Sequence, residues 1–455
     1  MRRHARIRSG MVSLVTAVAV VVPVAPPAAV AAEGRCGGHP WCDTSLSPDE
    51  RAGLLLRELT LDEEISLLAG DEPAGVLGYE GAHTGTSHGV ERVDLPPVHF
   101  SDGPVGPRQG EATGMPSPMA VAASFSDGVA RRHARVIGDE VRHKGNDVVY
   151  APAVNLLRTP LNGRTFEYFG EDPFLAGRMA AGWTRGVQSQ GVIGNVKHYA
   201  VNNQEGQGVA VPGFPVGIGL VGSRLTVDAR VDERTLRELY LPAFEAAVDS
   251  GVGTVMCAYP RVNGAYACEN QHLLNDILKD EWGFDGFVLT DYGAAKNTVN
   301  SLNNGLDLDI WPGAVYSAPA VKAALATSQV SEATIHEHVR RILRTLFAHG
   351  FFDRPAFVDD PSHIDYEAHD AAAGRIAEQG LVLLRNAGDV LPFDADRLGT
   401  LAVIGPEADV VNSGGGSSEI DAFRTTTPLE ALRDRLGADR VVHDDGGDPA
   451  RAARV

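Results

Sequence analysis

The feature that most limits what this chain can fold into is a series of short apolar runs, each ending abruptly in a polar or aromatic residue. The run 98–101 stops at Asp102, 148–152 leads towards Asn155, 192–196 stops at Lys197 and His198, 254–258 at Tyr259, and 288–290 at Asp291, with a sixth run over 305–309. Between them lie longer segments of helical period, such as 232–250 and 270–282, each opened by a capping residue, and a helix over 331–352 closes the series. Short buried strands alternating with amphipathic helices predict an α/β fold around a parallel sheet, here a (β/α)8-like TIM barrel. In such a barrel the C-terminal strand ends form the reactive face, so Asp102, Lys197, His198, Tyr259 and Asp291 are expected to share it. For Asp291 taken alone, capping of the following helix is the competing reading.

The chain begins with a segment of different character. Arg2, Arg3, Arg6 and Arg8 precede the apolar run 11–22, and prolines then lead to the small residues Ala29, Val30, Ala31 and Ala32. This order predicts a secretory signal peptide over 1–32, with an uncleaved anchor as the rival. Removing those four arginines leaves 36 basic residues against 59 acidic, a net charge of −23 in place of −19. A strongly acidic product argues against nucleic acid and anionic membrane as partners and leaves neutral molecules. No other stretch is apolar over a bilayer's span, so the exported product is expected to be soluble. Four cysteines fall as two local pairs, Cys36 with Cys42 and Cys257 with Cys268. Export favours two short-loop disulfides; zinc is the alternative, although neither pair has the two-residue spacing or a nearby histidine.

Ser47-Pro48-Asp49-Glu50 and Thr60-Leu61-Asp62-Glu63 are capping-box sequences, so two helices should open a catalytic domain over 33–354. Residues 355–375, rich at first in proline, aspartate and histidine, read as a linker. From 376 a helix, the run 381–384 and the strand 401–405 suggest a second sheet with helices, followed by the glycine run 412–418. That run lacks a phosphate-loop lysine and is expected to approach the first domain closely. The domain, 376–455, is short of the usual size, so the sequence is read as ending inside it.

The motifs SDGPVGPRQG from Ser101, GRTFEYFGEDP from Gly163, KHYAVNNQE from Lys197, MCAYPRVNG from Met256 and GFDGFVLTDYG from Gly283 occur in this order. In them, from about residue 50 to the end, the chain resembles glycoside hydrolase family 3, secreted bacterial β-glucosidase type. The resemblance implies an α/β sandwich second domain and retaining release of nonreducing-end β-D-glucose through a covalent glycosyl bond to Asp291. It implies substrate contacts from Asp102, Arg164, Lys197, His198, Tyr259 and, across the glycine- and proline-rich segment 206–222, Arg224. Tyr199 and Pro260 depart from the family's commoner phenylalanine and asparagine. The family's acid/base glutamate is expected beyond Val455. Glu419 follows the glycine run too closely to match it and is expected to be exposed. No cofactor or metal is implied, and the substrate is expected to be a neutral oligosaccharide or an aryl or alkyl glycoside.

The chemistry fits those roles. A retaining glycosidase uses an ionised carboxylate against the anomeric carbon and a protonated carboxyl for the leaving group. Arg164, Lys197 and His198 would supply positive charge around Asp291, and an ionised Asp102 would grip sugar hydroxyls by strong hydrogen bonds. Tyr259, Trp311 and Phe166 offer apolar faces, Phe166 being expected in the core. Three rivals are a Schiff-base enzyme using Lys197, a metal hydrolase drawing on Asp102, His198, Asp291, His83, His88 and His99, and a carbohydrate-binding protein without turnover. His83 and His88 are expected in a solvated loop. Within the resemblance, β-xylosidase and arabinofuranosidase stand behind β-glucosidase, and no feature speaks to oligomeric state.

Overall fold

The computed structural model describes residues 34–71, 81–205, 207–209, 218–221, 223–310 and 315–455. The expected signal peptide, Trp311 and most of the segment 206–222 lie outside them. Both expected disulfides are present, Cys36–Cys42 and Cys257–Cys268. Both capping boxes form as well: Ser47 and Glu50 open the helix Pro48–Leu56, and Thr60 and Glu63 open Leu61–Leu67.

The core is a curled sheet whose strands run Gly85–Thr86, His99–Asp102, Val148–Tyr150, Ile193–Tyr199, Thr254–Cys257 and Phe287–Thr290 in that spatial order. All neighbours from His99–Asp102 onward are parallel, whereas Gly85–Thr86 is an antiparallel edge that the sequence did not suggest. The registers pair Asp102 with Tyr150, Tyr199 with Cys257, and Cys257 with Thr290. They thus bring the C-terminal strand ends together. Single bridges continue the curl beyond both edges, parallel from Leu289 to Leu308 and from Ala69 to Asp309, and antiparallel from Gly70 to Ser87.

The expected sixth run, 305–309, makes only those bridges. Its carboxylates take the backbone donors that a ladder would otherwise use: Val288 N–H donates to Asp307 Oδ2 at 2.7 Å and Val315 N–H to Asp309 Oδ2 at 2.8 Å. Asp307 is buried, which alone would raise its pKa, but Lys279 and His338 beside it bring it down to about 2. Outside the sheet, helices Asp127–His143 and Pro173–Gln188 press together at Gly182 and Gly186. A Cβ on Gly186 would meet Arg131 O at 2.4 Å and Ala134 Cβ at 2.8 Å. The helices expected over 232–250 and 270–282 contain wide π turns at Leu236–Tyr240 and His272–Glu281. The first precedes Pro242, whose ring cannot follow a regular turn without meeting the carbonyl four residues back.

The stretch 355–375 is only half linker, because Asp365 caps a helix, Tyr366–Gly380, that buries Ala373 and Ile376. In the second unit Leu401–Ile404 pairs in parallel with Val441–Asp444. The run 381–384 is not a strand: Leu381, Val382, Leu383 and Leu384 are exposed, with no strand beside them among the described residues. The glycine run approaches the first domain as expected. A Cβ on Gly414 would meet the Phe166 ring at 2.7 Å, and Asp421–Ala422 pairs in parallel with Glu111–Ala112.

Candidate active site

Asp291 is the first residue after the strand Phe287–Thr290, and its N–H donates to Cys257 O at 3.2 Å. Its two carboxylate oxygens are held differently. Oδ1 accepts from the Tyr259 hydroxyl at 3.1 Å and from the Tyr292 N–H at 2.8 Å. Oδ2 is buried, has no hydrogen-bond partner among the described residues, and lies 3.7 Å from both His198 Nε2 and Arg224 Nη1. Arg224 Nη1 is likewise buried without a hydrogen bond among the described residues. A buried polar atom left unpaired is costly, so this pair of atoms is prepared for a ligand that completes them.

Asp102 ends the strand His99–Asp102, which three strands separate from Phe287–Thr290 across the curled sheet. Burial pushes its pKa up to about 6, and the Lys197 and Arg108 charges only partly offset that. Lys197 Nζ stands 3.8 Å from Asp102 Oδ1, too far for a hydrogen bond and suited to sharing a ligand hydroxyl. Burial lowers the Lys197 ammonium from its ordinary value, while Asp102 and Glu167 act in the opposite sense.

His198 corrects the expected charge pattern. Burial first, then the Arg164, Lys197 and Arg224 charges, push its pKa well below the usual imidazole value, so it is neutral beside Asp291. Asn155 fixes its tautomer. Asn155 Nδ2 donates to His198 O at 2.8 Å and its Oδ1 accepts from His198 N at 2.9 Å, which orients the amide. Nδ1, 3.2 Å from that same Oδ1, therefore carries the proton, and Nε2 presents a lone pair to the site.

Arg164 is not the guanidinium at Asp291; Arg224 is. Arg164 makes a bidentate pair with Glu167 at 3.0 and 2.8 Å and reaches Glu205 Oε1 at 3.8 Å, while Arg224 approaches the same oxygen at 3.4 Å. The Arg224 guanidinium also lies 4.6 Å over the Tyr259 ring, a cation–π contact that fixes both. Glu167 is buried, which would raise it, yet Arg164 and Lys197 hold it at about 2. Sequence reading missed both glutamates, although the spacings Arg164 to Glu167 and Lys197 to Glu205 lie inside the quoted motifs. The second domain adds a roof: Arg108 Nε donates to Gly416 O at 3.0 Å, and the buried Ser418 hydroxyl faces Glu167.

Phe166 is half-buried beneath Gly414 and lines a domain contact. Glu419 is exposed. His83 is not in a solvated loop: its ring stacks on His99 at 3.9 Å, and its Nδ1 is 2.9 Å from Asn146 Oδ1. His88 sits partly exposed against Asp71. Among the described residues no group of three or more His, Cys, Asp or Glu side chains is arranged to hold a metal ion.

The molecule is similar to known proteins along most of its length. Residues 91–345 match the glycosyl hydrolase family 3 N terminal domain, and residues 381–454 match the family's C-terminal domain. Beta-glucosidase B of Emericella nidulans is 38% identical over 394 residues, 84% of this chain and 43% of that protein. An exo-alpha-(1->6)-L-arabinopyranosidase of Bifidobacterium longum is 34% identical over 408 residues, 84% of this chain and 49% of that protein. The solved structure of beta-glucosidase 3B from Thermotoga neapolitana in complex with glucose superimposes with a TM-score of 0.75 at 32% identity, covering 89% of this chain and 56% of that one. The chain thus spans about half the length of the curated relatives it matches. With more than half of its residues inside one family domain, the chain belongs to glycosyl hydrolase family 3.

Proposed function

We propose that the protein is a retaining, exo-acting glycoside hydrolase that releases nonreducing-end β-D-glucose from β-glucosides or oligosaccharides through a glycosyl–Asp291 intermediate. The observation that carries this reading is the asymmetry of Asp291: two donors pin Oδ1, and Oδ2, between Arg224 and His198, has no hydrogen-bond partner among the described residues. Oδ2 attacks the anomeric carbon, the glycosidic bond breaks as the leaving oxygen takes a proton from a general acid, and water then hydrolyses the ester with net retention. None of the described residues is assigned the role of that acid. Asp102 accepts hydrogen bonds from the terminal sugar's hydroxyls, Lys197 donates to them, and His198 Nε2 accepts another.

The same reading takes the curled sheet as a TIM barrel. Eight segments support it: the six strands plus 68–70 and 306–309, joined by the bridges at Ala69, Gly70, Leu289 and Leu308. Residues 33–354 form the catalytic unit, residues from 376 on belong to the second domain, and the arginine-led apolar segment 1–32 directs export. A second reading, an arabinosidase, is favoured by the Bifidobacterium longum relative, whose name states that activity. The test is an activated 2-deoxy-2-fluoro-β-glucoside. The Asp291 peptide should gain the fluoroglucosyl mass, and Asp291→Ala should lower kcat by about 10⁴-fold or more. Full hydrolysis by the alanine variant would remove the assignment, and preferential turnover of an arabinoside over the glucoside would move it to the second reading.

A further inference from the structure

We infer that Glu269 is a positioning residue for Asp291, acting together with the disulfide that closes the segment before it; the inference rests on the reaction proposed above. The stretch 257–269 holds the loop that carries Asp291 at three places, in addition to the bond that the Tyr292 hydroxyl donates to Thr84 O. At the loop's entrance Cys257 O accepts the Asp291 N–H at 3.2 Å. At the side chain the Tyr259 hydroxyl donates to Oδ1 at 3.1 Å. At the loop's exit Glu269 Oε1 accepts the N–H groups of Lys296 and, at 2.7 Å, Asn297.

The stretch behaves as one rigid part. The Cys257–Cys268 bridge joins its ends, the pairing of Arg261–Val262 with Ala265–Tyr266 folds it back, and Ala267 N–H donates to Pro260 O at 2.9 Å. Glu269 is buried directly after the second cysteine, and its own carbonyl accepts from Asn304 Nδ2 at 2.7 Å. The loop is also closed on itself, because Ala294 N–H donates to Asp291 O at 3.0 Å. Displacing its far end therefore rotates the carboxylate. A buried acceptor spent on two backbone N–H groups just beyond a reacting carboxylate sets where that carboxylate points, without touching the sugar.

Such a role separates attack from binding. Misplacing a reacting atom by about 1 Å can slow a step roughly 10²-fold while ground-state contacts survive. Glu269→Ala removes the acceptor, Glu269→Asp draws it back by one methylene, and Glu269→Gln keeps an oxygen at the same reach. The experiment measures the rate of Asp291 labelling by the fluoroglucoside and, separately, glucose affinity by calorimetry. In the alanine and aspartate variants labelling should slow about 10- to 100-fold with glucose affinity within about 3-fold, and glutamine should restore labelling to within about 5-fold of the parent. Unchanged labelling in the folded aspartate variant overturns the inference, as does a parallel loss of affinity and rate. A parent enzyme that is not labelled at Asp291 would instead sink the proposed reaction, so the two failures are distinguishable.

Discussion

Asp102, proposed above to bind the sugar, shows how burial makes a carboxylate sensitive to pH. With its pKa raised to about 6 by desolvation, the carboxylate is protonated below that pH and ionised above it. Hydrogen bonds to an ionised carboxylate are the stronger kind, so glucose affinity should rise as the pH climbs through about 6. Asp102→Asn should flatten that limb and weaken binding by about 10- to 100-fold, as calorimetry across pH 4.5–8 would show. The stability sign is the opposite one: because the folded value exceeds the ordinary 3.8, the contribution is fully present below 3.8 and is lost as the pH rises through about 6. The strand-end placement of Asp102, Lys197, His198, Tyr259 and Asp291 was legible because each closes or follows an apolar run. Their charge states were not, since they depend on burial and on cations brought from other strands. His198 was read as a cation for that reason, and Glu167 and Glu205 were passed over because an acidic residue three or eight positions beyond a basic one looks like ordinary surface.

At the level of elements, packing of the outer helices on one another is set by residues without side chains. Gly186 lets the helix Pro173–Gln188 approach Arg131 O on its neighbour so closely that a methyl group would stand 2.4 Å from it. Gly186→Ala should therefore destabilise the fold by about 1–3 kcal/mol, read as a lower urea midpoint at unchanged slope. Capping boxes and apolar runs made most elements readable, because those signals are local. The run 305–309 misled because its aspartates, which resemble strand-end residues, spend their oxygens on the backbone of neighbouring segments. The antiparallel edge Gly85–Thr86 has two residues and no apolar alternation, too short to announce itself.

Across the whole molecule, His369 ties the helix Tyr366–Gly380 to the first domain. Burial pushes it down, but the Glu140 hydrogen bond and the charges of Glu140, Asp139 and Asp365 more than reverse this and raise its pKa above 6.5. Its contribution is fully present below pH 6.5 and is lost as the pH rises through the raised value. Amide exchange in 366–380, corrected for intrinsic rates, should be slower at pH 6 than at pH 9, and His369→Gln should abolish the difference. Equal protection at both values in the parent would refute the coupling. The second domain's existence was legible from its strand 401–405, but its contacts with Arg108 and Glu167 join residues about 250 to 300 positions apart, a relation that no local pattern carries.

The parallel pairing of Asp421–Ala422 with Glu111–Ala112 bears on how this architecture can be recombined. Phe423 N–H also donates to Ala112 O, and the Phe423 ring stacks on Tyr366 at 5.0 Å. A chimaera spliced in the 360s would separate two segments that hydrogen-bond as a single ribbon. A crossover placed after Arg424 would leave the native ribbon intact, so shuffling of second domains among relatives should succeed at the later junction and fail at the earlier one.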